Sequence, residues 1–455
     1  MLNKKIILLI LISSSILFGS EIKDINSNTI IIYNDLALIN NKGKIKVDNN
    51  LSELSIPNVS SNLISDSVSI NINEPNINIL EQNYRYDILN FNSILKHNLN
   101  KNIYYKEQEY SLLSINNGCV VKNKLTNLIS NINCDSLIVK SLPENVISEP
   151  SLYWKLNNLN KDIETNFDLS YLSNGFSWNS NYVANIQQDK IFLNGWINLN
   201  NNSDTNLNDY KLILLAGKPN VVNENIIQPM NMVRAKMMME DVAFSKPIEE
   251  QSFSGYHIYK IPLKVDIPKQ SNKQISFFNK TINNFDLEYK IDLSNFETRE
   301  KLKFDKFISF YNKNENGLGI PLPSGKIRFY EKDSENINYF IGENKIEDTP
   351  KNELINLKIG QDFDSILNVK LLDKVYDNKK QLYTVEYTIK NNSDIDKTYL
   401  IKQFNPIYNI EKNKIDIQST CNNNCTYVFD DIRYLTYKIK LNKNAEYSFK
   451  TTLKD

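Results

Sequence analysis

The chain has little histidine, with His97 and His257 the two among 455 residues. An HExxH metalloprotease or a His-rich zinc site needs more imidazoles than this, and a Ser-His-Asp triad would have only these two candidates for its base. The sequence also lacks a Walker motif, a GxGxxG segment and a GxSxG segment. Nucleotide binding and α/β-hydrolase chemistry therefore have no support, and we expect both histidines to be structural.

An excess of charge of one sign is also missing. Lys and Arg number 53, as do Asp and Glu, so the formal net charge is zero. The sequence has no cluster of basic residues that would attract nucleic acid or an anionic membrane surface. After residue 20 no apolar run reaches the ~20 residues of a membrane span. We expect no nucleic-acid partner and no transmembrane span in the chain once the first 20 residues are removed.

Residues 1–20 have the layout of a secretory signal peptide. Lys4 and Lys5 precede an apolar run from Ile6 to Phe18, and small residues follow at Gly19 and Ser20. This order of a basic, an apolar and a small-residue region is typical of an export signal. It predicts a protein of the periplasm or the cell surface.

Four cysteines, an even number, suit an exported chain with two disulfides. Of the three possible connectivities we favour the close pairs, Cys119 with Cys134 and Cys421 with Cys425. Each bond would close a short loop and staple a hairpin. The alternative for Cys421 and Cys425 is a thiol-redox or Cu(I) site, because two nearby thiolates can hold a soft metal.

Alternation of apolar and polar residues with a period of two dominates the chain, which indicates β-strands. We predict an all-β, multidomain protein of antiparallel β-sandwiches with few short helices, one of them within Tyr86–Leu99. The predicted domains are an N-terminal β-domain (21–150) with a disulfide-stapled β-subdomain (about 84–140), a central sandwich (151–365) and a C-terminal immunoglobulin-like sandwich (366–455). Pro143 and Pro150 mark the first boundary.

Long strands joined by Gly and Asn turns fill the stretch from Asp168 to Leu199, which contains Trp178 and Trp196. Apolar residues on both faces of the segment at 191–199 predict a central core strand. The alternative is that the two tryptophans form a platform for sugar rings. A glycosidase would need only two carboxylates ~5–9 Å apart, and the sequence selects no such pair.

A Met-rich excursion at 219–254 interrupts the strand pattern. We expect a loop or a short packing helix there, with adaptable partner contact as the second interpretation. Thioethers also bind Cu(I), so copper handling is the third. The five methionines concerned are Met230, Met232, Met237, Met238 and Met239.

One sequence pattern occurs twice in the chain, and we call it the echo. The segment Ile197–Leu214 and the segment Tyr387–Gln403 each contain a strand, Asn-Asn-Ser-Asp, a gap and a second strand. Asn and Asp tolerate left-handed backbone and bond their own main chain, which suits a connection between sandwich strands. The echo predicts two related sandwich units.

Several segments, in this order, resemble the bacterial family catalogued as domain of unknown function 4139. They are SYLSNGFSWNSNYVANI and LNGWINLNNNSDTNLNDYKLILLAGKPN, the strand GYHIYKIP at Gly255–Pro262, and PLPSGKIRFY at Pro321–Tyr330. The opening IIIYNDLALIN and TPKNELINLKIGQDFD are similar to the family as well. The resemblance implies an exported, β-rich envelope protein akin to mucoidy-inhibitor-like proteins, with no established activity and no catalytic residue to carry over.

We therefore expect a non-catalytic interaction or structural protein with no cofactor. Its partner would be another envelope protein or a polysaccharide. Two other functions are considered: a carbohydrate-binding or carbohydrate-cleaving protein that uses the aromatic strands, and a copper or thiol-redox protein.

Overall fold

The computed structural model describes residues 20–86, 90–116, 118–140, 149–217, 219–220, 248–377, 380–409 and 412–455. Residues 1–19 of the predicted signal peptide, the five methionines of the Met-rich excursion and the residues around Pro143 lie outside these ranges.

The described N-terminal part of the chain consists mainly of strands. They are β1 (Glu21–Ile32), β2 (Ala37–Val47), β3 (Asn50–Pro57), β4 (Ser69–Ile72), β5 (Ile77–Arg85), β6 (Asn102–Tyr105), β7 (Gln108–Ser114), β8 (Cys119–Asn123), β9 (Ile129–Ile132), β10 (Ser151–Asn158), β11 (Ile163–Ser173), β12 (Phe176–Gln187), β13 (Lys190–Asn201) and β14 (Leu207–Ala216).

The remaining strands follow residue 248. They are β15 (Glu249–Phe253), β16 (Tyr256–Ile267), β17 (Ser271–Ile282), β18 (Asp286–Leu293), β19 (Arg299–Leu302), β20 (Asp305–Tyr311), β21 (Gly325–Lys332), β22 (Asn338–Ile346), β23 (Leu354–Gln361), β24 (Ser365–Asp377), β25 (Lys380–Asn391), β26 (Lys397–Phe404), β27 (Asp416–Ser419), β28 (Cys425–Asp431), β29 (Tyr434–Leu441) and β30 (Ala445–Lys454).

Helices are short and few among the described residues, which confirms the predicted all-β, multidomain fold. The α-helix α1 (Phe91–His97) begins at a capping box, in which the Asn90 side chain accepts from Ser93 N and the Ser93 hydroxyl accepts from Asn90 N. It lies within the segment predicted to be helical. The described residues also form 3-10 helices at Ser65–Ser67, Cys134–Ser136, Asn314–Asn316 and Lys412–Lys414.

The chain divides into two compact units. The first contains the described residues of Met1–Trp178, Leu199–Met238 and Glu249–Lys273. It holds a seven-stranded sheet of order β15-β16-β14-β1-β2-β11-β4, a three-stranded sheet β3-β10-β5 and a four-stranded sheet β6-β7-β8-β9. The four-stranded sheet packs on α1 around a small core of its own that includes Leu95, Leu112 and Val121.

The second unit contains the described residues of Asn179–Asn198, Met239–Ile248 and Gln274–Asp455. Its six-stranded sheet has the order β23-β20-β18-β26-β29-β28 and packs on the five-stranded sheet β19-β24-β25-β30-β27. A third sheet, β17-β13-β12-β21-β22, belongs mainly to this unit. The six-stranded sheet includes β18, β20 and β23, which precede the predicted domain boundary at 366.

Among the described residues three strand pairs are parallel, whereas we expected antiparallel sheets. They are β1 with β14, β12 with β21, and β18 with β26. Each pair joins strands far apart in sequence, as parallel pairing requires a long crossover. The three sheets that contain these pairs are therefore mixed.

The two units repeat one topology. In the first, β15, β16, β14, β1, β2 and β11 lie side by side; in the second, β28, β29, β26, β18, β20 and β23 do so in the same order. In both series the parallel pair stands at the same place, between the third and fourth strands, and the other neighbours are antiparallel.

The Asn-Asn-Ser-Asp echo marks this repeat. Asn201 and Asn391 end β13 and β25 and are buried, with 0% and 1% of their surfaces exposed. The Oδ1 atom of Asn201 accepts from Ser203 N and Oγ, and that of Asn391 accepts from Ser393 N and Oγ. The next residue in each turn, Asn202 or Asn392, donates its backbone N–H to a carbonyl, of Gly175 or Asp364 respectively. The repeated motif thus builds the same turn twice.

Candidate functional site

The cysteine pairs favoured from the sequence both come together. Cys119 and Cys134 lie within bonding distance, as do Cys421 and Cys425. In the bonded form Cys421 and Cys425 offer no thiolate to Cu(I). Met230, Met232, Met237, Met238 and Met239 lie outside the described residues.

The two tryptophans proposed as a sugar platform lie in strands of the sheets. Trp178 is 5% exposed and meets Tyr259 edge to face, with ring centroids 6.2 Å apart. A sugar ring therefore has no access to its face. Trp196 is half-buried. On β13 the side chains of Ile191, Leu193, Ile197 and Leu199 are fully buried, whereas Phe192 on the opposite face is 39% exposed.

The histidines lie on different elements of the first unit. His257 Nδ1 is 2.8 Å from Glu250 Oε1, a cross-strand contact between β16 and β15. His97 is in the last turn of α1. Across the described ranges no group of three or more His, Cys, Asp and Glu side chains is arranged to hold a metal ion.

A shallow groove in the second unit brings aromatic and acidic side chains together. Its volume is about 640 Å³, and its lining includes Asp189, Asp286, Tyr311 and Glu315. A smaller groove of about 450 Å³ shares Asp189 with it and includes Phe192. Tyr311 is 49% exposed, with Lys313 Nζ 5.0 Å from its ring centroid. The groove offers one half-exposed ring and several hydrogen-bonding groups.

A more pronounced feature is the tip of the β8–β9 hairpin in the first unit. Leu125, Leu128 and Ile129 are 83%, 67% and 62% exposed. We call these three residues the apolar tip. Large aliphatic side chains scattered singly on a surface are ordinary, but three within five residues of one turn form a protruding patch.

Hydrogen bonds hold the turn in one shape. The buried Asn123 side chain accepts from the backbone N–H groups of Leu125 and Thr126, at 2.9 and 3.0 Å. Asn123 N also donates to Leu128 O, and Asn127 N donates to Asn123 O. The disulfide between Cys119 and Cys134 closes the base of the hairpin. The apolar tip is thus presented by a preorganised loop.

Lysines lie beside the apolar tip. Lys124 is exposed and precedes Leu125, and Lys122 is paired with Ile129 across the two strands. Over the described part of the chain, no carboxylate is within ion-pair distance of either lysine. Lysines also outnumber acidic residues across 90–140, where the lysines are Lys96, Lys101, Lys106, Lys122, Lys124 and Lys140 and the acids are Glu107, Glu109 and Asp135.

Sequence reasoning missed the apolar tip. The alternation of apolar and polar residues predicted a short strand that ends at Asn123, and it predicted nothing for residues 124–129. The signal that could have revealed a turn is Asn123, whose side chain can cap its own backbone. That the leucines project outward could be learned only from the fold.

Among the helices of the described residues, none is long and apolar enough to cross a membrane. No protein-family model matches the chain, and no curated protein matches it. The resemblance to the domain of unknown function 4139 family therefore stays a prediction.

Proposed function

We propose that this is an exported, non-catalytic interaction protein of the periplasm or cell surface, and that the apolar tip docks into another envelope protein. The observation that carries the proposal is the exposure of Leu125, Leu128 and Ile129 on a stapled, hydrogen-bonded turn. The two disulfide pairs are compatible with export.

Burial of the apolar tip would contribute substantially to association. Full burial of one leucine or isoleucine side chain contributes about 1.5–3 kcal/mol. Because Asn123 already fixes the turn, little conformational entropy would be lost when the partner binds. Three adjacent apolar side chains on a rigid support would form one desolvated cluster at the centre of an interface.

The lysines define the chemistry of the partner. Lys122 and Lys124 stand beside the apolar tip without an ion-pair partner among the described residues. A complementary surface would combine an apolar pocket with carboxylates on its rim. Shape-specific anchors favour a folded protein over a polysaccharide, which presents few apolar pockets.

The proposal is tested by photo-crosslinking in intact cells. A photoreactive amino acid at position 125 should capture one defined envelope protein. The captured amount should decrease when the same protein also carries Leu128→Asn. Position 159 is the matched control, since Leu159 is also exposed, at 66%, on a turn of the same unit. Equal capture from positions 125 and 159, or capture of lipid alone, would contradict the proposal.

The second candidate function is glycan binding in the groove that contains Tyr311. A half-exposed aromatic ring beside Asp189 and Glu315 is suited to stacking and to hydrogen bonding of sugar hydroxyls. Glycan-array binding should be lost in Tyr311→Ala and retained in Leu125→Asn. If the wild-type protein binds no glycan on the array, glycan binding is contradicted, whereas the docking of the apolar tip is not affected.

A further inference from the structure

The sandwich of the second unit contains a buried lysine in direct contact with a largely buried carboxylate. Lys397, the first residue of β26, has a side chain that is 2% exposed, and that of Asp362 is 11% exposed. Lys397 Nζ lies 2.9 and 2.8 Å from the two carboxylate oxygens of Asp362. The two residues are 35 apart in the chain.

Aromatic rings surround the pair. Lys397 Nζ is 4.7 Å from the ring centroid of Tyr289, and the ring of Phe304 lies 4.7 Å from that of Tyr399. All three rings are buried. The Ser365 hydroxyl is 3.3 Å from Lys397 Nζ and 2.6 Å from the Tyr399 hydroxyl. Burial raises the pKa of Tyr399 to about 12, so its phenol stays protonated.

The repeated topology shows that the fold does not need charged side chains at the positions of Lys397 and Asp362. Leu207 begins β14, six residues after Asn201, just as Lys397 begins β26, six residues after Asn391. Leu207 is buried, at 2% exposure. The turn of the first unit donates to the carbonyl of Gly175, and the turn of the second unit donates to that of Asp364. Ser173 and Asp362 each lie two residues before these carbonyls, so Ser173 is the counterpart of Asp362. The first unit thus holds an uncharged Leu and Ser at the positions of Lys397 and Asp362.

A buried ion pair is a poor source of stability. Removing an ammonium and a carboxylate from water costs several kcal/mol for each ion, and apolar replacements are often neutral or stabilising. Leu207 is such a replacement in the equivalent strand. The stability of the sandwich therefore does not account for Lys397 and Asp362.

We propose that Lys397 and Asp362 condense to an intramolecular isopeptide bond, which crosslinks the start of β26 to the residue that follows β23. Condensation begins when the ammonium passes one proton to the carboxylate that it contacts, which gives an amine and a carboxylic acid. The amine nitrogen then attacks Cγ of Asp362.

The step is balanced without a further reactant. One Nζ–Cγ bond forms and one Cγ–O bond breaks. The departing oxygen takes the two protons that the ammonium nitrogen loses and leaves as water, and the third proton remains on the amide nitrogen. The Ser365 hydroxyl, which contacts both Nζ and the Tyr399 hydroxyl, is placed to accept a proton from the nitrogen.

The inference does not depend on the binding role of the apolar tip. It is tested by the intact mass of the purified wild-type protein, followed by peptide mapping of the denatured chain. The expected mass lies one water molecule below that of the oxidised sequence, and protease digestion should yield a branched peptide containing both Lys397 and Asp362.

The double variant Lys397→Leu with Asp362→Ser, which copies the first unit, should have its full sequence mass and give no branched peptide. It should also unfold at a lower denaturant concentration than the crosslinked wild type. A wild-type protein that has lost no water, with Lys397 in an ordinary linear peptide, would overturn the proposal and leave an ion pair only.

Discussion

At the residue scale, two buried asparagines secure the repeated turn. Asn201 Nδ2 donates to the carbonyls of Thr205, Ile267 and Pro268, at 2.9, 3.2 and 3.0 Å. Asn391 Nδ2 donates to the carbonyls of Ile395 and Asn442, at 2.8 and 3.0 Å. Each side chain therefore joins its own turn to the end of a second hairpin.

Replacement of either asparagine should be costly. Asn201→Ala or Asn391→Ala leaves several buried carbonyls without donors, and we expect a loss of roughly 2–4 kcal/mol in the free energy of unfolding. Urea denaturation measures this loss. Asn202→Ala is the control: its side chain is exposed, so the change should stay within about 0.5 kcal/mol. Similar losses for Asn201→Ala and Asn202→Ala would refute the role assigned to the buried amide.

The turn also shows how much of the structure can be predicted from local sequence. The shared Asn-Asn-Ser-Asp was visible at once and predicted related units, because these residues favour turns on their own. The partners of the asparagine amides could not be predicted. The carbonyl of Ile267 lies at the end of β16 and that of Asn442 directly after β29, and the sequence does not place either strand beside the turn.

At the element scale, the β8–β9 hairpin depends on its disulfide. Cys119 and Cys134 are 15 residues apart, while Cys421 and Cys425 are 4 apart. The small sheet has few buried apolar residues of its own, and small cores rely on such crosslinks. In the chain-entropy account a longer closed loop gives greater stabilisation.

Removal of the two disulfides should therefore have unequal effects. Replacing Cys119 and Cys134 by alanine should cost about 3 kcal/mol, and replacing Cys421 and Cys425 about 2 kcal/mol. Hydrogen exchange resolved by peptide would locate the first loss in residues 90–140. The account would be wrong if those residues kept their protection without the Cys119–Cys134 bond.

At the scale of the whole molecule, the period of two was sufficient to predict an all-β protein, since strands expose alternate faces. It could not predict the parallel pairs, because alternation shows which face of a strand is buried and not which strand lies beside it. The common order of six strands in the two units became visible only in the sheets. It supports the idea of related units more strongly than the four-residue echo did.

The buried pair at Lys397 had a weak signal in the sequence. Lys397 shares the buried face of β26 with Tyr399 and Ile401, and a lysine in that register is unusual. Its partner Asp362 lies in a different segment, so the contact could not be predicted. The apolar tip is a similar case, because the exposure of Leu125 depends on the packing of the whole hairpin.

The central claim is that the apolar tip binds a partner protein, and affinity for the captured partner tests it most directly. The dissociation constant should be at least about 30-fold higher for Leu125→Asn with Leu128→Asn than for wild type. Unfolding of the double variant should be unchanged, as both side chains are exposed. Leu159→Asn should bind like wild type. Equal affinities of the double variant and wild type would contradict the claim.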